Sequence, residues 1–337
     1  QEQQGKAPIL SCELISAIAT TLARKEQVLL FLNKRGFDTF LVCGDCGYQF
    51  KCPNCAVSLK SHATEGVIKC HYCDYTQKAL PSCPSCKGSR ILSYGVGTQK
   101  LEAEIKKLFP EACVGRMDSD TTSPRGAQEK ILHRLWQREI DILVGTQMIT
   151  KGHDFPFITL VGVISADTSL NMPDFRATEK TFQQLTQVAG RGGRGAAPGR
   201  VIIQTFNPQH YVLKHVRNHD YKSFYTEEMS FREALHYPPY GRIINLRLSA
   251  TKKAVLQDQA EHLGRIAKKL SGQYANKVEI IGPAESPLAK LQGRYRWQML
   301  LKSQNASALH KFARELLSKM EKSTMKITID VDPENFM

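Results

Sequence analysis

The 337-residue sequence has no long apolar run. Its wholly apolar stretches stop within a few residues, as at Val28-Leu29-Leu30-Phe31-Leu32, whereas a bilayer-spanning helix needs about 20. No transmembrane helix is expected, and no membrane partner. The opening residues QEQQGKAPIL lack a basic start followed by an apolar stretch, so no secretory signal is expected and the expected compartment is the cytoplasm. Internal repeats and low-complexity tracts are absent. So are a G-x-x-x-x-G-K-[ST] phosphate loop and an acidic DExH-type box. The lysine that pairs β/γ-phosphates and the carboxylates that organise magnesium are therefore missing, and this chain alone is not expected to hydrolyse ATP.

Two features stand against that background. Lys plus Arg number 46 against 32 Asp plus Glu, a formal +14. Such an excess points to a polyanionic partner, nucleic acid or an anionic surface. It is uneven: residues 241–337 hold 17 basic and 9 acidic side chains, and residues 43–90 hold 6 and 3. The second feature is cysteine, eight of the ten lying between Cys43 and Cys86. Clustering without a secretory signal points to metal before disulfides. The length fits two or three domains, and 42% hydrophobic with 23% charged residues is globular composition.

Leu14, Ile15, Ile18 and Leu22 recur at helical spacing, with Ser11 placed to cap the helix. Val28–Leu32 reads as a strand buried on both faces. Helices are expected at 99–108, 124–136 and 178–188, the second with Pro124 near its first position and Ile131, Leu135 and Trp136 on its apolar side. Strands are expected at 112–116, 140–144, 157–164 and 200–206. Helices alternating with short buried strands imply a parallel α/β sheet, and the cysteine segment, 43–90, reads as an insertion into it. Residues 208–240 read as a helical linker ending at Tyr237-Pro238-Pro239-Tyr240-Gly241. The remainder, 241–337, reads strand, helix, strand, strand, helix, strand, the βαββαβ order of a ferredoxin-like α+β domain.

The cysteines form four C-x-x-C pairs, Cys43/Cys46, Cys52/Cys55, Cys70/Cys73 and Cys83/Cys86. Each pair is a turn that aims two thiolates at one ion, and two turns complete a tetrahedral site suited to zinc. Four pairs combine in three ways. A nested arrangement is expected, with Cys52, Cys55, Cys70 and Cys73 on one ion and Cys43, Cys46, Cys83 and Cys86 on the other. With every position filled by cysteine, both zinc ions would be structural. His71 is expected at the surface, and Cys12 and Cys113 as core thiols. Tyr48, Phe50, Tyr72 and Tyr75 alternate with lysines, which fits either single-stranded nucleic acid or the filling of a small core.

Two polar stretches fall at strand or helix ends, where ligands bind in open α/β sheets. One is Gly145 to Asp154, where Thr146 could bond a phosphate, Gly152 lets the main chain approach closely and Asp154 could accept from a ribose hydroxyl. The other is Gln187 to Gly195, which closes a helix and spaces Arg191 and Arg194 three residues apart. Such a pair places two guanidinium forks on a transferring phosphate. A flexible glycine-arginine loop contacting nucleic acid is the competing reading.

Taken in order, Phe31 to Gly36, the cysteine array, Gly97 to Glu102, Arg116 to Thr121, Gly145 to Pro156, Ala166-Asp167, Pro173 to Glu179 and Gln187 to Gly195 resemble the C-terminal half of the PriA family of superfamily 2 replication restart helicases. Gly192 stands where that family often has Ala, and Gln184 where Leu is common. The resemblance implies a second RecA-like helicase lobe at 1–42 and 91–207, interrupted by a double zinc segment. It implies nucleotide contacts at Gly152, Asp154 and Gln187, DNA contacts at Thr146 and Lys151, and Arg191 and Arg194 as catalytic fingers toward ATP and magnesium held on a first lobe. It further implies a C-terminal domain that binds forked and single-stranded DNA, 3′–5′ unwinding that restarts stalled forks, and contacts with single-stranded DNA-binding protein and other primosome proteins. The residues by themselves also fit a non-enzymatic, zinc-containing adaptor for DNA and proteins.

Overall fold

The computed structural model describes residues 9–32, 40–54, 57–62, 66–118, 120–124, 126–150, 155–192, 198–275, 277–320 and 324–336, without the side chains of Gln147 and Thr150. In chain order it contains α1 (Cys12–Ala23), β1 (Gln27–Phe31), β2 (Phe40–Cys43), β3 (Lys60–His62), β4 (Val67–Lys69), β5 (Thr76–Lys78), β6 (Ile91–Tyr94), α2 (Thr98–Leu108), β7 (Val114–Met117), α3 (Ala127–Trp136), β8 (Ile142–Gly145), β9 (Ile158–Val163), α4 (Asp167–Leu170), α5 (Ala177–Ala189), β10 (Arg200–Ile203) and α6 (Tyr211–Arg217). There follow α7 (Tyr221–Ala234), β11 (Arg242–Ala250), α8 (Lys253–Gln273), β12 (Glu279–Leu291), β13 (Arg294–Ser303), α9 (Ala306–Ser318) and β14 (Lys326–Val331). None of the described helices is long and apolar enough to cross a membrane.

The chain divides into two compact units. The first comprises Gln1–Gln49, Ser82–Asn171 and Ala177–Tyr221, and the second Phe50–Pro81, Met172–Arg176 and Lys222–Met337. The division passes through the cysteine segment, so its first and last pairs belong to one unit and its middle pairs to the other.

The first unit is built on a parallel sheet ordered β10-β9-β1-β8-β7. All five residues of β1 are buried, as its unbroken apolar run requires of a central strand. Leu14, Ile18, Leu101 and Ile105 of α1 and α2 pack with Val28, Leu30, Ile142 and Val144 of the sheet. The Ser11 side chain caps α1 by accepting from the Leu14 N–H. Gln27 is buried on β1, where its Nε2 donates to Leu135 O at 2.9 Å and Ile140 O at 2.7 Å and pins the end of α3 to the sheet. Two details of α3 differ from expectation. Pro124 lies in the turn before the helix, its carbonyl accepting from Ala127 N, because left-handed Gly126 occupies the N-cap. Leu132 faces inward with Leu135, and Trp136, at the helix end, is half exposed. Cys12 is exposed at the first turn of α1 and Cys113 is half-buried, so neither is a core thiol.

In the second unit the antiparallel sheet runs β12-β13-β11-β14, the ferredoxin-like order expected. Ile244, Leu246, Leu248, Trp297, Met299 and Leu301 alternate along β11 and β13 and meet Leu256, Leu263, Leu309, Phe312 and Leu316 of α8 and α9. The intervening residues, among them Asn245, Gln298 and Leu300, face the other way and are buried as well. The β3-β4-β5 sheet belongs to the same unit.

Candidate functional site

The four cysteine turns share one backbone design. The N–H of Cys43, Cys52, Cys70 and Cys83 donates to the carbonyl five residues on, at Tyr48, Val57, Tyr75 and Gly88, each at 2.8 Å. In three of them the residue four positions after the first cysteine is left-handed: Gly47, Asp74 and Lys87. Its N–H returns to the first cysteine's carbonyl at 2.9 to 3.0 Å. Such a turn leaves both thiols on the same side.

Cys43, Cys46, Cys83 and Cys86 come together with all four Sγ atoms within 4.8 Å of one another. Cys43 and Cys86 sulfurs are 3.6 Å apart, and those of Cys46 and Cys83 3.7 Å. Four thiolates about 2.3 Å from one tetrahedral ion sit about 3.8 Å apart, so the residues fit a metal ion. Burial opposes ionisation of Cys83, but the backbone N–H groups of Cys86 and Ser85 and the neighbouring thiols outweigh it and bring Cys83 down to about 7. At Cys86 the Gly88 N–H favours the thiolate, while the thiols of Cys46 and Cys43 push the group up to about 12. The second group holds Cys52, Cys70 and Cys73, also within 4.8 Å, with Cys52 and Cys73 sulfurs 3.6 Å apart. Cys55 lies outside the described residues.

Each group is rooted in its own unit. At the first, Asp167 at the start of α4 is buried and accepts from Gln49 Nε2 at 2.6 Å, Thr205 Oγ1 at 3.1 Å and Phe206 N at 2.9 Å. Burial pushes its carboxyl up, against those donors. The Phe206 ring closes a small cluster with Phe40 and Tyr94. Asp167→Ala strands three partly buried donors, and hydrogen bonds to a charged group are worth roughly 1.5–3 kcal/mol. A loss of about 3 kcal/mol is expected by denaturant unfolding, with Asp167→Asn losing less because one acceptor survives.

At the second group His71 is buried, not at the surface. Burial, with Lys60 beside it, brings its imidazole down to about 4. The neutral ring donates from Nδ1 to Glu285 O at 3.0 Å and meets His62 Nε2 at 3.1 Å. Gln298 Nε2 donates to His71 O at 3.2 Å. Of the interleaved aromatics, Phe50 and Tyr72 are buried and Tyr48 is exposed, so two of the four fill a small core.

At the carboxyl end of β8, Gly145 leads into a 3₁₀ turn, Gln147–Thr150. Thr146 is buried and its N–H donates to Met117 O at 3.3 Å. A Cβ on Gly145 would press on the Ile149 side chain and lie 2.8 Å from Met117 O. Gly145→Ala is therefore expected to destabilise the chain by about 1–3 kcal/mol, read from the denaturant midpoint. The α5 helix packs against this turn and β9. Gln187 is exposed on α5, and Arg191, just past its end, is buried. The fold thus brings Thr146, Gln187 and Arg191 to neighbouring elements. Lys151, Gly152, Asp154 and Arg194 lie outside the described residues.

Sequence reasoning passed over Asp167 as an anchor and His71 as a buried clamp. The signal for the first was its position just beyond a buried strand; for the second there was none, since the strands that bury it, with Glu285 and Gln298, lie more than 200 residues away.

Residues 233–334 match the family model of the primosomal protein N C-terminal domain, residues 52–78 that of the PriA DNA helicase Cys-rich region domain, and residues 75–196 that of the helicase conserved C-terminal domain. The replication restart protein PriA of Bacillus subtilis is 43% identical over 99% of this chain and 42% of its own length. That of Synechocystis is 40% identical over 98% of this chain and 40% of its own length, and that of Rickettsia conorii 38% over 100% and 51%. The chain spans about two fifths to one half of these relatives. Likeness at this level runs along the whole chain, through a helicase lobe, cysteine turns and a ferredoxin-like domain in unbroken order, and matches the chain to the C-terminal part of the PriA replication restart proteins.

Proposed function

We propose that this chain is the C-terminal part of an ATP-dependent 3′–5′ DNA helicase that engages stalled replication forks and restarts replication through primosome assembly. Residues 1–42 and 91–207 act as the second helicase lobe, 43–90 as the zinc segment, 208–240 as a linker and 241–337 as the DNA-binding domain. Two structural zinc ions are held by Cys43, Cys46, Cys83 and Cys86 and by Cys52, Cys55, Cys70 and Cys73. ATP and magnesium bind on a first lobe in the full-length protein, faced by Gly152, Asp154 and Gln187, with Arg191 and Arg194 stabilising charge on the transferring phosphoryl group. Thr146 and Lys151 contact DNA. Forked and single-stranded DNA, single-stranded DNA-binding protein and primosome proteins are the partners, in the cytoplasm.

The observation that supports this reading best is the packing of α5, which leads to Arg191, against the turn after β8 at the carboxyl end of a parallel sheet. Ligands of open α/β sheets bind there. The test is ATP hydrolysis and fork unwinding by the full-length protein carrying Arg194→Ala, alongside its DNA affinity. A turnover near that of the unaltered protein would leave the adaptor reading in its place.

A further inference from the structure

In the sheet of the second unit, β11 pairs with β13 on one side and β14 on the other. The two registers set Lys326, Ser249 and Arg296 across from one another in one row, and Thr328, Arg247 and Gln298 in a second. Residues directly opposite share a face, and so do residues two apart along a strand. Leu248 and Trp297, between the rows, belong to the core under α8 and α9. The two rows therefore lie on the face turned away from both helices. Arg294 continues that face of β13 and folds back over the first row. Its Nε donates to Ser249 Oγ at 3.2 Å and its Nη2 to Ser249 O at 3.0 Å.

Four cations thus surround one small hydroxyl. Among the described residues one carboxylate answers them, Asp330, whose Oδ2 accepts from Arg247 Nη2 at 2.6 Å. Arg294, Arg296 and Lys326 form ion pairs with none of the described residues. The Arg247 Nε is shielded from solvent and has no acceptor among them. Burial and, after it, the charge of Arg247 bring the Arg296 guanidinium below its usual value. Like charges held together in this way are relieved by an anion between them. The Ser249 hydroxyl accepts from Arg294 and keeps its own O–H to donate.

The dimensions of the patch say what kind of anion it suits. Neighbouring strands lie about 4.8 Å apart and residues two apart on a strand about 6.8 Å, so the cations spread about 10 Å across the strands and about 7 Å along β13. All four side chains are exposed or half-buried. That is an open array for successive phosphates of a polymer, and guanidinium forks match phosphate oxygens. Tyr295, between the two arginines of β13, packs against the core on the other face. The patch therefore has no ring on which to stack a base, and contacts confined to phosphates carry no sequence information.

We propose that Arg247, Arg294, Arg296 and Lys326, grouped around Ser249, form the site at which the C-terminal domain holds the DNA backbone, independently of sequence. This rests on the reading of residues 241–337 as the DNA-binding domain, and it narrows the basic excess of that segment to one face of one sheet.

The test is binding of forked DNA by the full chain, followed by fluorescence anisotropy across a salt series. Arg296→Gln combined with Lys326→Gln removes two charges that pair with nothing in the chain, so the denaturant midpoint should hardly move. Each lost phosphate contact lowers the slope of log affinity against log salt by about 0.9, so the slope should fall by about 1.8 and the loss of affinity should be roughly tenfold greater at about 50 mM than at about 200 mM salt. Forks of different sequence should lose equally. Lys268→Gln combined with Lys311→Gln removes the same charge from exposed positions on α8 and α9, across the sheet, and should leave the slope nearly unchanged. Equal losses in the two double variants overturn the proposal, since the charge then acts diffusely. An unchanged slope in the Arg296 and Lys326 variant overturns it too. In either case binding by the unaltered chain keeps the DNA-binding reading; if the unaltered chain shows no salt-dependent binding, that reading fails and the site with it. Should the double variant not fold, Ser249→Asp decides: a carboxylate among the cations should weaken binding at least as much, and unchanged binding overturns the proposal.

Discussion

Replacing Arg194 by alanine in the full-length protein is expected to lower ATP turnover about 10³- to 10⁵-fold, the contribution of an arginine finger to phosphoryl transfer. The argument rests on charge. The transferring phosphoryl group gathers negative charge on its oxygens, and a guanidinium fork held in a water-poor cleft meets that charge without first reorganising. Arg191 and Arg194 lie three residues apart after α5, among Gly190, Gly192, Gly193 and Gly195. Glycines leave room for the main chain to approach a partner. Arg191→Lys would keep the charge and lose the fork, so a large fall is expected there too. DNA affinity should change little in either variant, because the +8 of residues 241–337 resides elsewhere. Steady-state hydrolysis with and without DNA, beside an anisotropy titration at stated salt, checks both expectations. Turnover within a few-fold of the unaltered protein in Arg194→Ala would overturn the assignment.

The second large effect concerns metal. Cys86→Ser is expected to release the ion of the first group alone, and Cys70→Ser that of the second alone. Elemental analysis of the purified chain should fall by one zinc in each case. Structural zinc is worth an apparent 10–16 kcal/mol or so in small zinc-finger peptides, so each loss should loosen the fold locally by a large amount. The locations should differ, because the two groups lie in different compact units. Hydrogen exchange should quicken around β2 and β6 in Cys86→Ser, and around β3 to β5 in Cys70→Ser. Acid should release both ions, since thiolates bind and thiols do not. Absence of zinc from the unaltered protein, or loss of both ions from either single variant, would contradict this.

Much of this was legible in the sequence. The buried run of β1, the helical stripe of α1 and the βαββαβ order at the end are all periodicities, and periodicity is local. The C-x-x-C turns are local as well, whereas the meeting of Cys43 and Cys46 with Cys83 and Cys86 is a contact across about 40 residues. Trp136 was misplaced for a physical reason. At the end of α3 the helix has run out of sheet to cover, so Leu132 supplies the inward contact and the tryptophan is left half exposed. His71 was misplaced because its burial comes from Glu285 and Gln298 in distant strands.

By itself the sequence determined the element types, the pairing of thiols into turns, the basic C-terminal segment and the arginine spacing after α5. Each follows from neighbours along the chain. Only the tertiary structure decided that the cysteine segment is shared between two units, that Asp167 anchors its first turn, and that the Phe175 ring stacks on Tyr237 and meets Phe336. Those are contacts between residues up to about 160 positions apart. They arise because a buried ring or carboxyl must find its partners wherever the packed chain places them.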